Sequence, residues 1–289
     1  MAALLNTVVR SAATLLTAFD NVLYPPHCLL SGLPIAPDDE VLPGVSRQAL
    51  DACPPAPDPI ELLLLVQRHI AADDLAISSF RALWAVTDDS PIRHAIHAVK
   101  YHNRRRLAYE LGRYVGELVD ELVDELVYEL DSVLVSELDK VHIHSTTSLK
   151  TSSETSLKTS SQTSSQTSLK TSSQTLVVPI PIHSARRRER GYNQAELIAR
   201  GVADACGLPM VDVLRRTRYT GTQTALSEQQ RLVNLTNAFI VHRPEMIRNT
   251  RILLVDDVLT TGATLNNAAE ALLMAGARRV DALTIGATI

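Results

Sequence analysis

The chain has 289 residues, of which 45% are hydrophobic, so it can bury at least one sizeable core. Its formal net charge of −4 excludes a protein that binds polyanions through its overall charge, and leaves that role to local basic clusters. Three widely spaced cysteines argue against a disulfide framework.

The apolar start of the chain, residues 1–24, raises the question of a signal peptide. It has no basic residue ahead of its apolar part, and Arg10 interrupts that part. No later stretch approaches the length needed to span a bilayer. We therefore expect a cytoplasmic protein with no membrane partner.

The first segment, 1–60, is predicted to begin as a helix and to continue as a proline-rich, acidic connection. Cys28 has Ser31 where the partner of a Cys-x-x-Cys pair would be, and Cys53 has no such partner either. Tetrahedral zinc requires four deprotonated ligands at close range. The sequence therefore argues against a structural zinc and favours ordinary buried or free thiols.

The next segment, 61–144, is predicted to be mainly helical, with a short strand at 80–86. Ser90, followed by proline, predicts the N-cap of a helix that ends near Lys100. Further on, 117–130 is a tandem acidic and apolar repeat whose carboxylates are stacked four residues apart, which is mildly destabilising. We interpret this repeat as a solvated helix that covers the edge of a neighbour. The whole segment is expected to pack on the domain that follows.

Residues 145–175 consist almost entirely of Ser, Thr, Gln and Lys in a repeated unit. Each unit holds one isolated leucine and cannot bury a core. We expect a disordered insertion in a surface connection.

A basic stretch at 183–193 follows a short buried strand at 176–182 and precedes a helical pattern. Guanidinium groups bind phosphate oxygens bidentately, so a basic, glycine-containing loop at this place favours anion binding. For Arg186–Arg188 a solvated basic face or a nucleic-acid patch is an equally good interpretation. Arg190 and Gly191 favour phosphate binding more strongly, because they fall beside the start of the helix.

The most informative stretch runs from Arg251 to Thr264. An apolar run, Ile252–Val255, predicts a strand buried on both faces, and Asp256 and Asp257 follow where that strand should end. A turn of small and hydroxyl residues, 260–264, then leads into a helix and offers backbone N–H groups to a phosphate. The carboxylates would repel a phosphate, so they are better suited to bind sugar hydroxyls or a metal. The alternative interpretation is that an Asp or Thr of this turn only caps the helix.

Strands alternate with helices up to a last strand near 280–286, which predicts an α/β fold with a central, mostly parallel sheet and flanking helices. A mainly helical amino-terminal region precedes it. The long polar loop at 219–231 is predicted to be a lid.

The signature around Asp256 resembles the 5-phosphoribosyl-1-pyrophosphate (PRPP) motif of type I phosphoribosyltransferases, with every position filled. Residues 176–289 as a whole resemble the phosphoribosyltransferase domain of the ComF/GntX family. The other matching strings are Val178-Pro-Ile-Pro181, Arg188-Glu-Arg-Gly-Tyr-Asn-Gln194, Arg216-Thr-Arg218 and Thr222-Gln-Thr-Ala-Leu-Ser227. The chain departs from this family in its repeat insertion and in a degenerate zinc-finger-like segment that lacks the paired cysteines.

The resemblance implies binding of PRPP and Mg²⁺ and transfer of the phosphoribosyl group to a nucleobase or amine, with release of pyrophosphate. It implies that Asp256 and Asp257 contact the ribose hydroxyls. The candidates for the 5′-phosphate are Thr260, Thr261, Gly262, Ala263 and Thr264. The candidates for pyrophosphate are Arg190, Gly191, Lys100 and Arg218. Mg²⁺ would be held largely by PRPP, with Asp256 and Asp257 as its candidate protein ligands.

Nothing in the sequence identifies the acceptor. The main alternative to an enzyme is a non-catalytic protein that binds PRPP or serves as a scaffold among the competence proteins of DNA uptake. Direct nucleic-acid binding through the basic stretches is the least favoured alternative, and it predicts an affinity that falls steeply with salt.

Overall fold

A computed structural model describes residues 26–36, 38–118, 175–217 and 238–289. Its strands are β1 (Glu40–Leu42), β2 (Val45–Ser46), β3 (Ser79–Val86), β4 (Thr175–Pro179), β5 (Leu214–Arg216), β6 (Phe239–Val241), β7 (Arg251–Leu259) and β8 (Arg279–Thr288). Its helices are α1 (Arg47–Asp51), α2 (Pro59–Gln67), α3 (Ile92–Tyr101), α4 (105–118), α5 (Ser184–Arg190), α6 (Gln194–Ala205) and α7 (Ala263–Met274).

A parallel sheet of four strands, in the order β3-β8-β7-β4, organises the described part of the chain. The inner strand β7 pairs with β4 on one side and with β8 on the other. Its residues Ile252, Leu254 and Val255 have no exposed surface, as expected for a parallel strand covered on both faces. Helices α6 and α7 both pack against β7. The predicted α/β class with a mostly parallel sheet is confirmed.

The sheet takes its edge strand β3 from the segment that precedes the repeats. β3 pairs in parallel with β8, from Ser79 opposite Asp281 to Val86 opposite Thr288. The short strand predicted at 80–86 is therefore confirmed. Segment 61–144 thus supplies a strand to the sheet. The boundaries of the segment remain a prediction.

Helix α3 begins at Ile92, so the prediction that Ser90 is its N-cap is wrong. The Ser90 hydroxyl instead donates to the carbonyl oxygen of Ala85 at 3.0 Å, which fastens the loop to the end of β3. α3 packs against β3 and ends at Tyr101, directly after Lys100.

Helices α4 and α6 approach each other at two glycines. A Cβ atom on Gly112 would overlap the backbone oxygen of Ile198, and one on Gly201 would overlap the carbonyl oxygen of Tyr109. Because glycine has no Cβ atom, the backbones of the two helices can pack in direct contact at both positions. This contact fixes the position of α6, whose first residue is Gln194.

Several predicted features lie outside the described residues. They are the apolar start of the chain (1–24), almost all of the two predicted repeats (117–130 and 145–175), and the loop predicted as a lid (219–231). The chain divides into one compact unit of 1–117 with 174–289 and another of 118–173. Of the insertion predicted at 145–175, only Thr175 is described, as the first residue of β4. Among the helices of the described ranges, none is both long and apolar enough to cross a membrane.

Gly112→Ala should lower the free energy of unfolding by about 2–4 kcal/mol, because the new methyl group meets backbone that cannot move aside. Thermal unfolding of the full chain measures this change. Gly207→Ala is the matched control, since Gly207 has open space around it and a φ of +62°. The control should cost only about 1–2 kcal/mol from its left-handed backbone. Equal losses in the two variants would contradict the close contact between α4 and α6.

Candidate functional site

A cleft of about 500 Å³ lies at the edge of the sheet where the parallel strands end. The sheet lines it with Val86 from the end of β3, Val258 near the end of β7, and Thr288 at the end of β8. Thr260 and Thr264 add their hydroxyls from the turn after β7 and the start of α7. Ligands of open α/β sheets bind at this edge.

The turn from Thr260 to Thr264 brings the amino end of α7 to the cleft. Gly262 has a φ of +77°, and a Cβ atom there would lie 2.8 Å from a methyl carbon of Val66, so the turn requires glycine. Ala263 opens the helix, and its N–H donates to the Thr261 hydroxyl at 3.4 Å. Because Gly262 has no side chain to cap the other N–H groups of the first turn, these groups suit an anion.

Four cationic side chains surround the same cleft. Arg93 and Lys100 come from α3, Arg186 from α5, and Arg216 from β5. The Arg216 guanidinium lies 5.5 Å from the ring centroid of Phe239. Cations that converge on one concave surface raise its positive potential. The cleft therefore suits a ligand with several negative charges.

A second cleft of about 640 Å³ adjoins the first, since both are lined by Lys100, Tyr101 and Arg186. It adds Arg190, whose guanidinium lies 5.0 Å from the ring centroid of Tyr101. Lys100 and Arg190, two of the residues proposed for pyrophosphate, thus line one continuous surface.

The basic stretch is a short helix and not the loop that the sequence predicted. Ser184–Arg190 form α5, because His183 accepts a hydrogen bond from the N–H of Ala185 and Gly191 ends the helix with a φ of +76°. The Gly191 carbonyl accepts a hydrogen bond from Arg105 at 3.3 Å. Gly191 thus acts as the helix terminus, and Arg218 lies outside the described residues.

The sequence analysis placed the acidic pair after the end of the strand. In the structure both residues lie within β7, because the pairing with β8 continues to Leu259. Successive residues of a strand point to opposite faces of a sheet. Asp256 therefore shares the face of Val258, which lines the first cleft, and Asp257 points the other way. The two carboxylates do not form one equivalent pair.

Asp257 is buried and has a partner on each oxygen. Its Oδ1 lies 3.2 Å from the Lys100 ammonium nitrogen, and its Oδ2 accepts a hydrogen bond from the Gln194 amide at 3.0 Å. The structure thus joins a residue of α3, the first residue of α6 and the signature strand. No local pattern pairs Gln194 with Asp257, although Gln194 stands in one of the strings that resemble the ComF/GntX family.

Asp256 is partly exposed and carries an altered pKa. Burial and the neighbouring charge of Asp257 raise its pKa to about 7, although the N–H of Asp257 donates to its Oδ1 at 2.9 Å and Lys100 and Arg216 oppose the shift. A carboxylate whose pKa is raised to near neutral pH is a functional-site candidate.

Metal ligands are sparse in the described part of the chain, where no three His, Cys, Asp or Glu side chains are grouped to hold an ion.

Cys28 and Cys53 are both buried. Although burial opposes it, hydrogen bonds from Ser46 and neighbouring N–H groups lower the pKa of Cys28 to about 7. Burial raises the pKa of Cys53 to about 11. Mg²⁺ prefers oxygen ligands and keeps several waters, and Asp256 is the signature carboxylate that is not already paired with Lys100 and Gln194.

Comparison with known proteins bears on the same region. The family model described as "Phosphoribosyl transferase domain" matches residues 189–287, which hold β7 and α7 and nearly all of β8. Competence protein F of Haemophilus influenzae is 35% identical over 107 residues, which cover 36% of this chain and 47% of that protein. The DNA utilization protein YhgH of Salmonella typhi is 37% identical over 106 residues, covering 36% and 46%. Competence protein ComFC of Streptococcus pneumoniae is 32% identical over 108 residues, covering 37% and 46%.

The chain spans about half the length of the curated relatives it matches. Among solved structures, the allosteric regulatory enzyme of purine biosynthesis matches with a TM-score of 0.27 at 21% identity, over 38% of this chain and 21% of that one. The glutamine PRPP amidotransferase from B. subtilis matches with a TM-score of 0.26 at 23% identity, over the same shares.

The carboxyl-terminal part of the chain is a phosphoribosyltransferase domain of the type I fold. Over about a third of its length the chain is similar to relatives named competence protein F, ComFC and YhgH, which agrees with the resemblance to the ComF/GntX family that its motifs carry.

Asp256→Asn should raise the melting temperature at pH 8. The folded-state pKa of Asp256 lies above its ordinary value of 3.8, so its ionisation costs stability as pH rises from about 4 to about 7. Removing that cost should stabilise the fold by about 1–2 kcal/mol, or a few degrees, once partial exposure is allowed for. The gain should vanish near pH 4, where the carboxyl is protonated in both states.

Asp257→Asn is the matched control, and thermal unfolding at pH 4, 6 and 8 measures both variants. It should lower the melting temperature at pH 8, because it removes the partner of Lys100. Shifts of the same sign in the two variants at pH 8 would contradict the different environments of the two carboxylates.

Proposed function

We propose that this chain binds PRPP together with Mg²⁺ and transfers the phosphoribosyl group to a nucleobase or amine, with release of pyrophosphate. The observation that carries the proposal is the shared cleft: the turn of Thr260 and Thr264 and the cations Lys100, Arg186 and Arg216 all face it. The amino end of α7 suits a single phosphate, and the grouped cations suit a more highly charged group.

The role of each group follows from its place. The 5′-phosphate would bind at the amino end of α7, to the N–H groups and hydroxyls of Thr260–Thr264. The pyrophosphate would extend toward Lys100 and Arg190, which line the adjoining cleft. Asp256, on the same face as Val258, would accept hydrogen bonds from the ribose hydroxyls that lie between them.

In the reaction the bond between the anomeric carbon and pyrophosphate breaks, and a bond to the acceptor nitrogen forms. Positive charge develops on the ribose ring, and negative charge leaves with pyrophosphate. Lys100, Arg186 and Arg190 would stabilise the departing charge from fixed positions. Bound with PRPP, Mg²⁺ would supply further neutralisation of the pyrophosphate, with Asp256 as its candidate protein ligand.

A second candidate function is a non-catalytic PRPP-binding or scaffold role in competence, in the cytoplasm. The names of the relatives, competence protein F and DNA utilization protein YhgH, favour a role in DNA uptake. Calorimetry of PRPP binding separates a scaffold from a PRPP-binding protein. A panel of nucleobases and amines, assayed for pyrophosphate release, separates binding from catalysis.

Asp256→Asn should abolish pyrophosphate release with the wild-type chain's best acceptor, because the ribose hydroxyls lose their charged hydrogen-bond acceptor. PRPP affinity, measured by calorimetry, should fall about tenfold, since hydrogen bonds to a charged group contribute about 1.5–3 kcal/mol. Glu270→Gln, on the same unit but outside both clefts, is the control and should match the wild type. Undiminished release by Asp256→Asn would overturn the assigned role.

Arg190→Gln should weaken PRPP binding about tenfold, because it removes a charge-assisted contact to pyrophosphate. Arg200→Gln is the matched control: Arg200 is an exposed arginine of α6 outside both clefts and should leave the affinity unchanged. Equal effects of the two substitutions would show that Arg190 acts only through overall charge.

A further inference from the structure

The lining of the first cleft changes in character along the carboxyl edge of the sheet. Because the strands run in the order β3-β8-β7-β4, Val86 and Thr288 lie at one end of this edge, and Arg186, which follows β4, lies at the other. Ile96 and His97 of α3 also line the cleft. We call the part lined by Val86, Ile96, His97 and Thr288 the β3–β8 corner.

A glycine near the end of β8 forms the floor of the β3–β8 corner. A Cβ atom on Gly286 would overlap Cγ2 of Val86 and would lie 3.6 Å from Cδ1 of Ile96. Because Gly286 has no side chain, Val86 and Ile96 can lean over β8 and approach each other there. Gly286 pairs with Trp84 of β3 on one side and with Val258 of β7 on the other. The apolar floor therefore adjoins the signature strand.

The polar groups of the β3–β8 corner are an imidazole and a hydroxyl, from His97 and Thr288. The His97 ring packs against the Tyr101 ring with their centroids 4.6 Å apart, which limits the orientations of the imidazole. Arg93 lines the same cleft, and its guanidinium is paired with the carboxylate of Asp88 at 2.6 Å. The corner thus offers an aromatic ring and a hydroxyl beside apolar side chains.

The chemistry of the proposed transfer determines the side from which an acceptor must approach. In a single displacement at the anomeric carbon, the incoming atom meets the face of the sugar ring opposite the leaving group. The proposed pyrophosphate position is beside Arg186 and Arg190, which follow β4. The acceptor then has to approach from the side of β8 and β3, where the β3–β8 corner lies.

The lining of the β3–β8 corner selects the kind of acceptor. Most alkyl amines are protonated at neutral pH, and burying an ammonium group against Val86 and Ile96 costs free energy. The positive potential of the cleft also repels such a cation. A planar nitrogen heterocycle can be neutral, its faces can pack on the apolar side chains and on the His97 ring, and its edge can bond to the Thr288 hydroxyl.

We propose that the β3–β8 corner binds the acceptor of the transfer, and that this acceptor is a planar nitrogen heterocycle and not an alkyl amine. This inference rests on the proposed function and narrows it. In the reaction a ring nitrogen forms the bond to the anomeric carbon. The bond from that carbon to the pyrophosphate oxygen breaks, and its electron pair leaves with pyrophosphate. The proton of the ring N–H is released to water.

Calorimetry on the full-length chain tests the corner with ligands that carry or lack a base: the common nucleoside 5′-monophosphates and ribose 5-phosphate. The best of the monophosphates should bind at least about tenfold more tightly than ribose 5-phosphate, the effect of stacking one base on an aromatic ring. Thr288→Trp fills the corner from its exposed rim. It should remove this preference and leave ribose 5-phosphate binding unchanged.

Ile289→Trp is the matched control, because it places the same side chain at the neighbouring residue, which is 58% exposed and outside both clefts. This variant should keep the preference for a monophosphate. His97→Ala should weaken binding of the best monophosphate about tenfold, and His97→Phe should restore most of it, because the stacking ring is present again. A purely structural role of His97 would instead lower the affinity for ribose 5-phosphate by the same factor.

The wild-type chain separates this inference from the proposed function. If it bound neither PRPP nor ribose 5-phosphate, the proposed function would fall and the inference with it. If it bound PRPP but showed equal affinity for the monophosphates and ribose 5-phosphate, only the inference would be overturned. A preference that Thr288→Trp retains, or pyrophosphate release with an alkyl amine and with none of the bases, would have the same consequence.

Discussion

The ion pair between Lys100 and Asp257 joins the signature strand β7 to helix α3, which lies ahead of the repeats. A carboxylate within an inner parallel strand has to be paired, because an isolated buried charge costs several kcal/mol. The partner comes from α3, which lies before the repeats, whereas Asp257 lies more than 150 positions later on β7. The segment ahead of the repeats is therefore part of the candidate site. It also supplies the edge strand β3 of the same sheet.

The two adjacent carboxylates show how strand geometry separates neighbours in sequence. Asp257 is paired with Lys100 and Gln194, and Asp256, on the opposite face of the strand, has a raised pKa. An ionised carboxylate with a raised pKa lowers the stability of the fold at neutral pH, and such groups are typical of functional sites. The cations around the first cleft offset part of that cost and provide the positive potential that a phosphorylated ligand requires.

Three local predictions were wrong because, in each case, a hydrogen-bond or strand partner that the pattern did not include decided the conformation. Ser90 donates to the strand before it and does not cap α3. The pairing of β7 with β8 continues past Asp257, so the strand does not stop at the acidic pair. The basic stretch forms α5, because the side chain of His183 caps its start and Gly191 ends it. Residue type alone does not encode such partners.

The sequence by itself determined the class of fold, the signature strand and the turn at Gly262. These depend on local patterns: a continuous apolar run, and a backbone conformation that only glycine adopts without strain. Only the tertiary structure decided which cations share a cleft and that Asp257 contacts Lys100 and Gln194 while Asp256 lies on the opposite face of β7. Those facts depend on the order of strands in the sheet and on helices that pack across long separations in the chain, which no local pattern specifies.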